Sequence, residues 1–114
     1  MKKIGVMFLL LSSLALARGG EDIVEDRMEN QLKVSLSKII DYNVDYDVDI
    51  FDDKMNVEIE VEGLKEPKLD YNKITDAVLS SAKENAPEVK DINITVVYDQ
   101  PIGEDKILFN KRFM

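Results

Sequence analysis

The chain contains no cysteine, no histidine and no tryptophan. Without cysteine there is neither a disulfide framework nor a thiol for lipid attachment, so a fold of this size must stand on packing alone. Without histidine, imidazole catalysis and imidazole metal ligation both drop out. Glycine and proline are sparse at five and three residues, and no Ser/Gly linker, internal repeat or low-complexity tract divides the 114 residues. One apolar run stands out, in residues 4–17, and it is shorter than the roughly 20 residues a membrane span needs.

That run has the layout of a secretory signal. Lys2 and Lys3 precede it, and Ala15-Leu16-Ala17 supplies a small-x-small cleavage pattern before Arg18-Gly19-Gly20 breaks the sequence. The expectation is a leader over residues 1–17 and a single domain over residues 18–114, placing the protein in a periplasm, at a cell surface or in a secreted fluid. The full chain carries a net charge of −8. Removal of the leader lysines leaves 13 basic against 23 acidic residues, a balance of −10. Such a charge repels phosphate backbones and anionic lipid surfaces, so nucleic-acid binding and membrane insertion of the mature chain are not expected, while basic protein partners are favoured.

Residues 21–40 carry Val24, Met28, Leu32, Leu36, Ile39 and Ile40 at three- and four-residue steps, the stripe of an amphipathic helix. Glu21, Asp22, Glu25 and Asp26 crowd its start, where the helix dipole favours acids. From Asn43 the period becomes two. Val44, Tyr46, Val48 and Ile50 alternate with Asp45, Asp47 and Asp49, and Met55, Val57, Ile59 and Val61 alternate with Asn56, Glu58, Glu60 and Glu62. These strands form a hairpin in which Ile50 faces Met55, Asp47 faces Glu58 and Asp45 faces Glu60. A one-residue slip would bury the acids, so the pattern sets the register.

A second helix starts at an Asp70 cap, with Tyr71, Ile74, Ala77, Val78, Ser81 and Ala82 inward, and stops before Pro87. Strands over residues 91–99 and 106–113 complete the order α-β-β-α-β-β. The expected fold class is α+β: a two-layer sandwich with two helices on one face of a mostly antiparallel four-stranded sheet. If the second and third strands are parallel, their connection is a right-handed crossover. The stretch Asn85-Ala86-Pro87-Glu88-Val89-Lys90-Asp91-Ile92-Asn93-Ile94-Thr95-Val96, after a helix and an alternating hairpin, resembles the helix-to-strand passage of small modules such as the soluble domain of cation-diffusion transporters, BON domains of the bacterial envelope, and alkaline-shock proteins. The first kind commonly binds metal through histidines, which this chain lacks, and BON hairpins are glycine-rich, whereas this hairpin has no glycine before Gly63. The resemblance implies an α+β envelope module without assigning a family.

The candidate binding residues are the hairpin acids Asp45, Asp47, Asp49, Glu58, Glu60 and Glu62. As a solvated face they need no ligand. As a site they suit a basic protein partner, or alternatively a divalent cation such as calcium, because hard cations take carboxylate oxygens. Asp41, Asn43 and Asp45 open like an EF-hand loop, but Tyr46 stands where that loop needs glycine and Asp52 where it needs glutamate. A third reading is internal: Lys106, Lys111 and Arg112 make the last strand basic, and beside the hairpin it would neutralise these acids. No catalytic residue, metal ligand or cofactor is assigned. Ser80-Ser81 lacks a nucleophile motif, and exposed carboxylates have nothing to raise one pKa toward neutrality for acid-base work. The expectation is a small exported, non-catalytic interaction or structural module of a bacterial envelope, docking a partner through its acidic face or a free edge strand.

Overall fold

A computed structural model describes residues 13–114, and side chains from Ile23 onward. The elements are α1 (Ser13–Leu36), β1 (Asn43–Phe51), β2 (Lys54–Glu62), α2 (Tyr71–Asn85), β3 (Asp91–Asp99) and β4 (Lys106–Phe113). The fold is α+β, and the sheet order is β1-β2-β3-β4. Two of its three contacts are antiparallel, and β2–β3 is parallel. Residues 1–12 of the expected leader lie outside the described residues.

The hairpin register is the one that alternation dictates. Ile50 pairs with Met55, Asp47 with Glu58 and Asp45 with Glu60. The connecting turn places Asp52 at φ 57°, in the left-handed region that aspartate tolerates better than most residues. The turn is anchored from below, because the Asp53 carbonyl accepts the amides of Lys90 and Asp91 at the start of β3.

One apolar cluster joins the elements. Met28, Leu32 and Leu36 of α1 and Ile74, Val78 and Ala82 of α2 pack with Val48, Val57, Ile59, Val61, Ile94 and Val96 from a single face of the sheet. The helices also meet through a polar contact: Gln31 accepts hydrogen bonds from Ser81 Oγ and Asn85 Nδ2. Buried Ser81 is thereby satisfied, as a hydroxyl withdrawn from water must be. Asp70 caps α2 by accepting the Lys73 amide at 3.1 Å. Tyr98 is buried with its hydroxyl donating to the Gly63 carbonyl, and Tyr71 stacks on Phe109 with ring centroids 4.9 Å apart.

Helix α1 departs from expectation at both ends. It begins at Ser13, so Gly19-Gly20 lies inside it and the acids at positions 21 and 22 are not in its first turn. A helix-interior glycine costs about 1 kcal/mol relative to alanine, a penalty that flanking Leu and Ala can outweigh. At the other end α1 stops at Leu36, four residues early. Ser37 Oγ bonds back to the Val34 carbonyl, and Ile40 keeps only a turn bond to Leu36. Ile40 therefore stays buried, whereas Ile39 swings out to 38% exposure.

The two faces of β1 should differ sharply in tolerance. Val48→Asp puts an unpaired charge into the cluster and is expected to cost about 3 kcal/mol or more, whereas Asp47→Val on the outer face should stay within about 0.5 kcal/mol. Urea melts of both variants measure this, and equal losses would mean that the faces are reversed.

Candidate functional site

The face of the sheet turned away from the helices carries the acids. Asp45, Asp47, Asp49 and Glu62 are exposed, and Glu58 and Glu60 are half-buried between neighbouring strands. Register carries the rows onward across the sheet. Glu58 lies beside Thr95, Glu60 beside Val97, and Glu62 beside Asp99. Asp99 then meets Asp105, from the loop before β4, so that carboxylate oxygens of Glu60, Asp99 and Asp105 all lie within 4.8 Å of one another.

This convergence shifts titration. Loss of hydration raises the Glu60 carboxyl above its usual value, and the charges of Asp105, Asp99, Asp45 and Glu58 push the same way. Asp99 is raised likewise, by lost hydration first and then by Asp105 as a charge and a hydrogen-bond partner. Three oxygen donors are short of the six to eight that calcium takes, so water or a partner would complete any such shell. The EF-hand resemblance does not survive in the structure. Residues 43–51 are strand, which sends Asn43 and Asp45 out in parallel instead of curling them around an ion.

The basic strand does not neutralise this face. β4 sits at the far edge of the sheet, with β2 and β3 between it and the hairpin's β1 and β3 between it and β2. Its cations serve other acids. Lys106 reaches Glu66 at 2.6 Å, and Arg112 grips Asp91 through both Nε and an η nitrogen, holding that carboxyl below its ordinary range. Lys111 lies over the Phe113 ring at 5.3 Å. Among the described residues, none of the six hairpin acids is in an ion pair. Toward the other end of the face the chemistry turns neutral. Asn56, Asn93 and Asn110 form a ladder of side-chain amides across β2, β3 and β4.

Sequence reasoning missed Asp99 and Asp105, which depend on the parallel β2–β3 register. It also missed a second role of α1. Glu29 accepts the amide of Val48 at 2.9 Å and Glu25 that of Ile50 at 2.7 Å, so helix carboxylates occupy the middle of the β1 edge. Burial, opposed by the Val48 hydrogen bond and reinforced by Asp47, Asp26 and Asp49, raises Glu29. The β1 edge is therefore not free along its whole length.

Among the described residues, no helix is long and apolar enough to cross a membrane. No protein-family model, curated protein or solved structure matches this chain, so its function has to be read from geometry.

The raised carboxyls of Glu29, Glu60 and Asp99 bind protons more tightly in the folded state, so they oppose folding at neutral pH and are relieved as pH falls toward the ordinary carboxyl values of 4.5 for the two glutamates and 3.8 for the aspartate. Asp91, with its lowered carboxyl, acts in the opposite sense, and its stabilisation is lost only below 3.8. The melting midpoint should therefore hold or rise from neutral pH to about 4.5 and fall below 3.8. Glu60→Gln should flatten the rise and stabilise the neutral form by a few tenths of a kcal/mol, on the order of one screened like-charge contact. Thermal melts across pH read both, and a monotonic fall from neutral pH would contradict them.

Proposed function

We propose that this chain is a small exported, non-catalytic docking module of a bacterial envelope whose acidic sheet face receives a basic protein partner. The observation that carries this reading is the absence, among the described residues, of any ion pair to Asp45, Asp47, Asp49, Glu58, Glu60 or Glu62. A two-layer sandwich, helices on one face and water on the other, is the arrangement that leaves these carboxylates available. Export rests on the leader pattern of residues 1–17. Complementary potentials speed encounter and reject partners of like charge more than they add raw affinity, so such docking is salt-sensitive.

The test compares equal charge changes in two places. Oligolysine of defined length serves as the basic probe, titrated against the chain at low and high salt. Asp47→Asn/Glu58→Gln should weaken binding and reduce its salt slope, whereas Asp76→Asn/Glu88→Gln, which removes the same charge elsewhere, should leave most of both intact. Equal losses in the two double variants would reduce the effect to net charge and defeat the reading.

A second reading is favoured by the convergence of Glu60, Asp99 and Asp105 within 4.8 Å: a divalent cation bridging β2, β3 and the loop before β4. Millimolar calcium should then raise the melting midpoint, because a ligand of the native state alone must stabilise it, and Asp105→Asn should abolish the rise. An unchanged midpoint removes this reading.

A further inference from the structure

The edge of β1 is shielded along half of its length. Alternate residues of an antiparallel strand turn their backbone groups to the same side, so Val44 and Tyr46 present N–H and C=O along the edge on which Val48 and Ile50 bond the α1 glutamates. Among the described residues, nothing outside the sheet bonds the amides of Val44 and Tyr46. The helix position that follows Glu25 and Glu29 at the same four-residue step is Lys33, which accepts no amide, and α1 ends at Leu36. A groove of about 810 Å³ opens between the end of α1, with Lys33 in its last turn and Ser37 just beyond it, and the first half of β1. On the inner face of the strand Val48 is fully buried, and Tyr46, Val44 and Ile50 are half-covered, so the groove end offers two apolar side chains with surface still to bury. Asp41, Asp45 and Glu62 line the groove, against the single cation Lys33.

We infer that this groove is a strand-addition site for an extended segment in which basic residues alternate with apolar ones. The alternation follows from register. A strand laid beside β1 places every second residue on the outer face next to Asp45, and the intervening residues on the inner face next to the half-covered Val44 and Tyr46. Lysine or arginine suits the first set and aliphatic side chains the second. A second copy of this chain fits less well. Its β1 would bring aspartates against aspartates, and two of the cations on its β4, Lys106 and Arg112, are already held by Glu66 and Asp91. The inference rests on the basic-partner reading above and adds where on the molecule, and by which backbone groups, that partner is held.

The experiment is a titration of the isotopically labelled chain with a blocked heptapeptide alternating lysine and valine, followed by amide shifts and hydrogen exchange, with a glutamate-valine peptide as control. The lysine peptide should protect the Val44 and Tyr46 amides and leave those of Val48 and Ile50 unchanged. Val44→Pro removes one outward amide at an edge position that tolerates proline, and should weaken binding by about tenfold. Asp45→Asn leaves the backbone intact and should weaken it in the same direction, which guards against a folding defect in the proline variant. Binding that survives Val44→Pro and shifts only Asp47, Glu58 and Glu60 would overturn the groove while leaving the acidic-face reading standing. Failure of the lysine peptide to bind anywhere would overturn both. Protection of Val44 without peptide, together with dimers in sedimentation, would put a second copy in the groove and overturn the foreign partner.

Discussion

The strict alternation of acid and apolar residues along β1 and β2 is the constraint on which the rest of the structure depends. Asp45, Asp47, Asp49, Glu58, Glu60 and Glu62 share one face, and Val48, Met55, Val57, Ile59 and Val61 the other. A slip by one residue would exchange the sets, and each carboxylate taken from water without a partner costs several kcal/mol. The apolar stripes of both helices and the apolar residues of the sheet accordingly close a single cluster. The wet face owes its exposure to the same rule.

Helix α1 does two jobs because two repeats happen to match. Glu25 and Glu29 are one turn apart, a rise of about 6 Å, and the outward amides of two successive alternate strand residues are about 6.6 Å apart. Running antiparallel to β1, the helix can therefore offer Glu25 to Ile50 and Glu29 to Val48 while Met28 and Leu32 stay in the core. An uncovered strand edge invites pairing with other chains, and here carboxylates occupy it where the helix reaches. The next helix position on that repeat is Lys33, a cation that accepts no amide, and α1 ends at Leu36 before a further turn could reach Val44, so the protection stops short of Tyr46 and Val44.

Local pattern made much of this legible. The hairpin register, the Asp70 cap, the stop before Pro87 and the bounds of β3 and β4 all rest on interactions between residues close in sequence, and the structure has them as read. What local pattern cannot supply is strand order. A basic strand beside an acidic hairpin was a sound electrostatic expectation, but the β2–α2–β3 connection inserts β3 between them, and Arg112 finds Asp91 instead. The same crossover brings Asp99 to Glu62, so the densest part of the acidic face joins residues 37 apart, which no spacing rule reveals. The start of α1 at Ser13 is not legible for another reason: Gly19-Gly20 lowers helix propensity, but propensity is a weak prior that neighbouring residues override.

Charge is not spread evenly over the outer face. At the end bounded by Phe51, Lys54, Asp91 and Arg112 it is mixed, and the asparagine ladder beside it is neutral. At the opposite end Glu62, Asp99 and Asp105 gather, with Glu60 and Asp45 close behind. A basic segment feels that end most strongly once within about a Debye length, some 8 to 10 Å at ordinary ionic strength. It is also the end at which the β1 edge lacks its helix carboxylates. Attraction and backbone pairing thus point to the same corner: under the proposed reading the field would deliver an extended basic chain to the stretch of β1 whose outward amides α1 leaves open. Charge alone would hold such a segment in no fixed register, whereas alternate amides at Val44 and Tyr46 would fix both its direction and which of its side chains meet Asp45.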